Sequence, residues 1–112
     1  MRQNKFKAVI IDDELLIREL LRKTVDWEQH GFEVIGEAAD GVEGLELIGR
    51  VRPDIAVVDM NMPRMDGCTL CRNISELHPD CKIIVLSGYN EFDYVRSALL
   101  AGARDYLLKP IE

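Results

Sequence analysis

Short apolar runs alternate with stretches of about ten residues whose apolar positions recur at helical spacing, and this alternation along the whole chain admits few folds. It specifies β-α-β units, in which a helix carries the chain back so that the next strand lies parallel to the last. The apolar runs are Phe6 to Ile11, Phe32 to Ala38, Ile55 to Val58, Ile83 to Leu86 and Asp105 to Leu108. A first helix starts near Glu14 with Leu16, Leu20, Ile17 and Leu21 along one side, and VDWEQHG then turns the chain at Gly31. A second opens at Asp40-Gly41, carries Val42, Leu45, Ile48 and Val51 as its stripe, and stops at Arg52-Pro53. A third runs from about Asp66 to His78 with Leu70, Ile74 and Leu77 inward, and a fourth from about Glu91 to Leu100, before Gly102. Five strands and four helices predict an α/β, doubly wound, five-stranded parallel sheet. The chain ends at Lys109-Pro110-Ile111-Glu112, where a fifth helix would cover the last strand, so that helix is expected to be missing.

At 112 residues one domain with a real core is expected. A net charge of −6 disfavours contact with nucleic acid or an anionic membrane and favours cations or proteins as ligands. No apolar run reaches the length of a membrane span, and the N-terminus shows no cleavable leader, so the chain reads as cytoplasmic. Three cysteines fit a reducing compartment better than a disulfide framework.

Ligands of open α/β sheets bind outside the carboxyl ends of the strands, so residues following the apolar runs belong together. Asp12 and Asp13 follow the first, Asp59 closes the third, Ser87 follows the fourth and Lys109 the fifth. Three clustered carboxylates repel one another, which a hard cation relieves. Oxygen donors without paired imidazoles point to Mg²⁺ or Mn²⁺ rather than zinc. With Lys109 supplying positive charge and Ser87 a hydrogen bond to phosphoryl oxygens, the set suits a phosphoryl group carried on Asp59 as nucleophile.

Four motifs stand in order at matching spacing: IDDE (Ile11 to Glu14), VVDMNMPRMDG (Val57 to Gly67), VLSG (Val85 to Gly88) and AGARDYLLKP (Ala101 to Pro110). On them the whole chain resembles the receiver domain of a two-component response regulator. The resemblance implies a flavodoxin-like fold with strand order 2-1-3-4-5, here as a C-terminally truncated receiver over residues 1–112 with no output domain. It implies that Asp59 takes a phosphoryl group from a sensor histidine kinase, and that Asp13 binds Mg²⁺ directly, with Asp12 partly through water and Asn61 through its backbone carbonyl. Ser87 then matches the switch hydroxyl, Tyr106 the aromatic that rotates inward, and Lys109 the phosphate-contacting lysine. Asn61 and Tyr89 match positions that tune hydrolysis, and Lys109-Pro110 a bond that is usually cis. The stretches Asp26 to Ile48 and Ser87 to Ile111 are similar to receivers that precede an AraC-type DNA-binding output domain. Without a fifth helix, the chain is expected either to lose stability or to be completed by a second copy, as a homodimer or through domain exchange. The resemblance makes it a switch that phosphorylates and dephosphorylates its own aspartate, not an enzyme acting on other substrates.

Plainer readings exist for each part. Asp12, Asp13 and Glu14 could cap a helix, Asp59 and Ser87 could be turn residues, and Lys109 could be a solvated surface lysine. An aspartyl-nucleophile phosphatase also places Asp after a strand, but it needs a second acid two residues on, where this chain has Asn61. A flavin domain would not put IDDE where a phosphate must sit. A receiver-like interaction module without phosphorylation would have lost an acid or the lysine. Cys68, Cys71, His78 and Cys81 have zinc-like spacing, but Cys68, Cys71 and His78 share one predicted helix, and the cysteines read as small buried or half-buried thiols. His30 reads as a solvated turn residue, and Trp27 as packing at the edge of the first helix.

Overall fold

Branched and long apolar side chains fill strands β1 (Phe6–Ile11), β2 (Phe32–Ala38), β3 (Ile55–Asp59), β4 (Lys82–Ser87) and β5 (Asp105–Leu108). Between them lie helices α1 (Leu15–Thr24), α2 (Gly41–Val51) and α3 (Gly67–Leu77). The structure, a computed structural model, describes residues 5–60, 62, 64–87, 96, 99–100 and 102–108; the helix expected from Glu91 to Leu100 falls mostly outside them. All strand pairs are parallel, in the order β2-β1-β3-β4-β5.

The expected helix starts have a physical basis. Asp40 and Asp66 cap α2 and α3 by accepting hydrogen bonds from the Glu43 and Thr69 backbone N–H groups, each at 2.8 Å. Glu14, at the start of α1, makes no such bond through its side chain. Its own N–H instead donates to Asp12 Oδ1 at 2.8 Å.

Successive strand residues feed two cores on opposite faces of the sheet. Val9, Ile11, Ala56, Val58, Ile83 and Val85 meet Leu47 and Ile48 of α2 and Leu70, Cys71 and Ile74 of α3. Ile10, Val57 and Leu86 meet Leu21 and Ile17 of α1 together with Trp27, whose indole N–H donates to the Leu21 carbonyl at 3.1 Å. Arg18 and Arg22 tie α1 to Glu37 of β2. Burial opposes the Glu37 charge, but the hydrogen bonds and charge of Arg22 and Arg18 outweigh it and hold the carboxyl below its ordinary value.

Three residues expected to face inward do not. Leu16 is 76% exposed, Leu77 63% and Val42 42%. In α2 the helix meets the sheet through Gly44, where an added Cβ would stand 2.8 Å from Ile11 Cδ1, and the contact face is turned toward Leu47 and Ile48. Leu16 and Leu77 lie near helix ends, beyond the central turns that touch the sheet.

Cys71 and Cys81 pack in the core on the α2 and α3 side, and burial pushes their thiols up to about 12 and about 11. Native protein treated with an aromatic disulfide reagent is therefore expected to release roughly one equivalent of thiolate, from half-buried Cys68. The other two should react only as the fold opens, so three equivalents at once without denaturant would contradict this packing.

Candidate phosphoacceptor and metal site

The sheet register assembles the acids. Ile11 pairs with Val58, so Asp12 and Asp59 are the next residues on neighbouring strands, about 4.8 Å apart along the pairing direction. Both backbones are held. The Asp12 N–H donates to the Ala38 carbonyl at 3.0 Å, and the Met60 N–H to the Leu86 carbonyl at 3.0 Å, so the ladder continues past each acid. The apolar run stops at Val58, and Asp59, expected to close the strand, pairs with Leu86 as the last residue of β3.

Asp12 is 0% exposed and Asp59 2%, whereas Asp13 and Glu14 face solvent. The carboxylates of Asp12, Asp13 and Glu14 each bring an oxygen within 4.8 Å of the others. Glu14, expected at most to cap a helix, therefore joins the acidic cluster. Such a donor set, all carboxylate oxygen with buried and accessible members, fits a hard divalent cation such as Mg²⁺. The Arg18 guanidinium borders it, donating to the Asp12 carbonyl while held by Glu37.

The chain leaves Asp59 through Met60 and returns at Gly67, whose N–H donates to the Met60 carbonyl at 3.0 Å. Two links fasten this connection to α2. Arg64, with φ of 68°, donates to Asp40 Oδ2 from Nη2 at 2.6 Å and from Nε at 3.0 Å. The Glu43 N–H, with Arg64 beside it, holds the Asp40 carboxyl below its ordinary value. The second link is the Met65 carbonyl, which lies so close to α2 that a Cβ on Gly41 would be 2.4 Å from it. Nothing local in the sequence signals the Arg64–Asp40 pair, because partners 24 positions apart are joined only by the fold.

Among the other expected residues, Ser87 ends β4 one step past Leu86, the partner of Asp59, and pairs with Leu108 of β5. Tyr106 lies in β5 opposite Val85. Asn61, Tyr89 and Lys109 lie outside the described residues. A cavity of about 230 Å³ bordered by Arg52, Asp54, His78 and Asp80 opens at the other end of the sheet, away from the carboxyl ends of the strands where ligands of such folds bind.

The sequence profile of the response regulator receiver domain matches residues 8–112, and the chain belongs to that family. This makes it a signalling module. It is 43% identical over 107 residues to an uncharacterised response regulatory protein of Staphylococcus epidermidis and 42% identical to the transcriptional regulatory protein HptR of Staphylococcus aureus. Each alignment covers 96% of this chain and 42% of the relative, so the chain spans less than half the length of these curated relatives. Among solved structures it is similar to the receiver domain of AraT, a response regulator from Geobacillus stearothermophilus (TM-score 0.90, 47% identity, 96% of this chain and 83% of that one). It is also similar to a chain of the CheX–CheY–BeF₃–Mg²⁺ complex from Borrelia burgdorferi (TM-score 0.85, 30% identity, 96% of this chain and 80% of that one). Among the described residues no helix is long and apolar enough to cross a membrane.

Proposed function

We propose that this chain is a phosphorylation-dependent switch: Asp59 accepts a phosphoryl group from the phosphohistidine of a sensor histidine kinase, and the change is relayed to a DNA-binding output domain, of AraC type, that controls transcription. The observation that carries the reading is the pair of buried carboxylates, Asp12 and Asp59, placed side by side on neighbouring strands. Burying two like charges together is costly, and a site that takes a cation and a phosphoryl group gives that cost a purpose. The transcriptional regulators among the relatives support the output half of the proposal.

Asp12, Asp13, Asp59 and the Asn61 carbonyl would hold Mg²⁺, and the same oxygens suit Mn²⁺. When bound, the ion withdraws charge from the phosphoryl oxygens. An Asp59 carboxylate oxygen attacks phosphorus, the bond to the imidazole nitrogen breaks, and that nitrogen takes up a proton, leaving an acyl phosphate on Asp59. Lys109 pairs with a phosphoryl oxygen and Ser87 donates to another, drawing its strand end toward the site while Tyr106 turns inward. Asn61 and Tyr89 set how readily water reaches the acyl phosphate, whose hydrolysis restores the carboxylate.

Incubation with Mg²⁺ and acetyl phosphate, followed by intact mass measurement, is expected to show one phosphoryl addition. Asp59→Asn should abolish it, as should removal of the metal by a chelator. A folded chain that gains nothing would exclude the phosphoacceptor role and leave an interaction module that works without phosphorylation.

A further inference from the structure

We propose that the Arg64–Asp40 ion pair is a latch that positions the backbone leading away from Asp59, and so sets how tightly the acidic site takes a divalent cation and how fast Asp59 is phosphorylated. The inference rests on the phosphoacceptor reading of Asp59. Arg64 is a positioning residue, since its described contacts are with Asp40 and Glu43 and not with Asp12, Asp13, Glu14 or Asp59.

Three observations place the pair in control of that backbone. Arg64 has φ of 68°, a left-handed conformation uncommon for a residue other than glycine. Both Asp40 oxygens are committed, Oδ2 to the guanidinium and Oδ1 to the Glu43 N–H, so the partner is fixed to the start of α2 and cannot follow a moving loop. The next residue along the chain continues the clamp: the Met65 carbonyl abuts Gly41, and the Met65 sulfur accepts from Asn73 of α3 at 3.7 Å. Two residues after Met65 comes Gly67, where an added Cβ would be 2.5 Å from the Asp59 carbonyl oxygen. A shift at Arg64 therefore has little slack before it reaches the Asp59 backbone.

The pair differs from an ordinary stabilising contact in where its side chains sit. The Arg64 side chain is 57% exposed and that of Asp40 11%, so truncating the arginine opens no cavity in the core. Its removal should alter the site more than the global stability.

The test uses Arg64→Ala, Arg64→Lys, Asp40→Asn and the Arg64→Ala/Asp40→Asn double variant. Asn retains the helix-capping oxygen while losing the charge, which separates the latch from the cap. Calorimetric Mg²⁺ titration of the unphosphorylated chain and the rate of labelling by acetyl phosphate are compared with the thermal midpoint. Arg64→Ala and Asp40→Asn are each expected to weaken Mg²⁺ binding and slow labelling about three- to fivefold, with the midpoint moved by no more than about 3 °C. The double variant should be no worse than either single one, and Arg64→Lys should recover part of the loss. The wild-type advantage over Arg64→Ala should shrink in about 0.5 M salt, which screens the exposed guanidinium. Arg64→Ala binding Mg²⁺ and labelling like wild type would overturn the latch, as would losses that merely track a lowered midpoint. A wild type that binds Mg²⁺ but takes no phosphoryl group would instead defeat the phosphoacceptor reading, and the Mg²⁺ titrations would still decide the latch.

Discussion

Gly67→Ala is expected to destabilise the fold by about 3 kcal/mol and to slow phosphorylation of Asp59 about a hundredfold. A Cβ at position 67 would lie 2.5 Å from the Asp59 carbonyl oxygen and 2.6 Å from Met60 Cα. Both are backbone atoms of the strand end that carries the phosphoacceptor, so neither can swing aside as a side-chain tip would. Relief requires α3 to retreat from β3 or the Asp59 peptide to rotate. The first strains the packing of Leu70 and Ile74, which are 0% exposed; the second moves the nucleophile itself. The same exchange at Gly49 provides a control, because its Cβ would meet only the His78 ring at 3.8 and 3.9 Å. There the backbone is helical and exposed, and Ala should stabilise by about 0.5–1 kcal/mol. Urea unfolding gives the first quantity for both variants, and labelling per folded molecule gives the second. A Gly67→Ala protein as stable and as readily labelled as wild type would show that the close approach does not constrain the site.

The contrast between these two glycines shows what a sequence discloses and what it withholds. Periodicity sufficed for β1, β2 and β5, whose bounds agree with the structure, and the Asp-Gly steps at Asp40 and Asp66 marked two helix starts where capping bonds are found. The strand-end rule likewise put Asp12 and Asp59 at the same end of the sheet, and the pairing of β1 with β3 makes them neighbours. Close approach was not legible. Hydropathy skips glycine, so the sequence placed Val42 on the buried stripe of α2 where the structure uses Gly44 and Leu47. The Asp40–Arg64 pair was hidden for a related reason, since Asp40 already had a sufficient local explanation as a cap and nothing local explained Arg64. Capping was the plainer reading for Asp12, Asp13 and Glu14 together, but at Glu14 it is the N–H, donated to Asp12, and not the carboxylate that the local turn uses.

Asp12→Asn is expected to raise stability without metal and to remove the response to it, two effects of opposite sign from one atom pair. Asp12 is fully buried, with carboxylates of Asp13 and Glu14 within 4.8 Å and Asp59 on the adjoining strand, in a chain of net charge −6. In the absence of a cation these carboxylates repel one another, and burial of Asp12 and Asp59 adds to the cost. Asn keeps the oxygen that accepts from the Glu14 N–H at 2.8 Å, removes one charge, and turns the other oxygen into a donor facing carboxylates. In a chelating buffer the variant should gain about 1–2 kcal/mol, a rise of roughly 5–10 °C in thermal midpoint. Mg²⁺ at about 10 mM should raise the wild-type midpoint by mass action but leave the variant almost unmoved, and labelling by acetyl phosphate should fall about a hundredfold. A variant less stable than wild type in chelator would mean that Asp12 is held by favourable contacts that outweigh the repulsion. A midpoint that rises while the Mg²⁺ response survives would instead show that Asp13, Glu14 and Asp59 suffice to hold the ion, and that Asp12 serves the phosphoryl group alone.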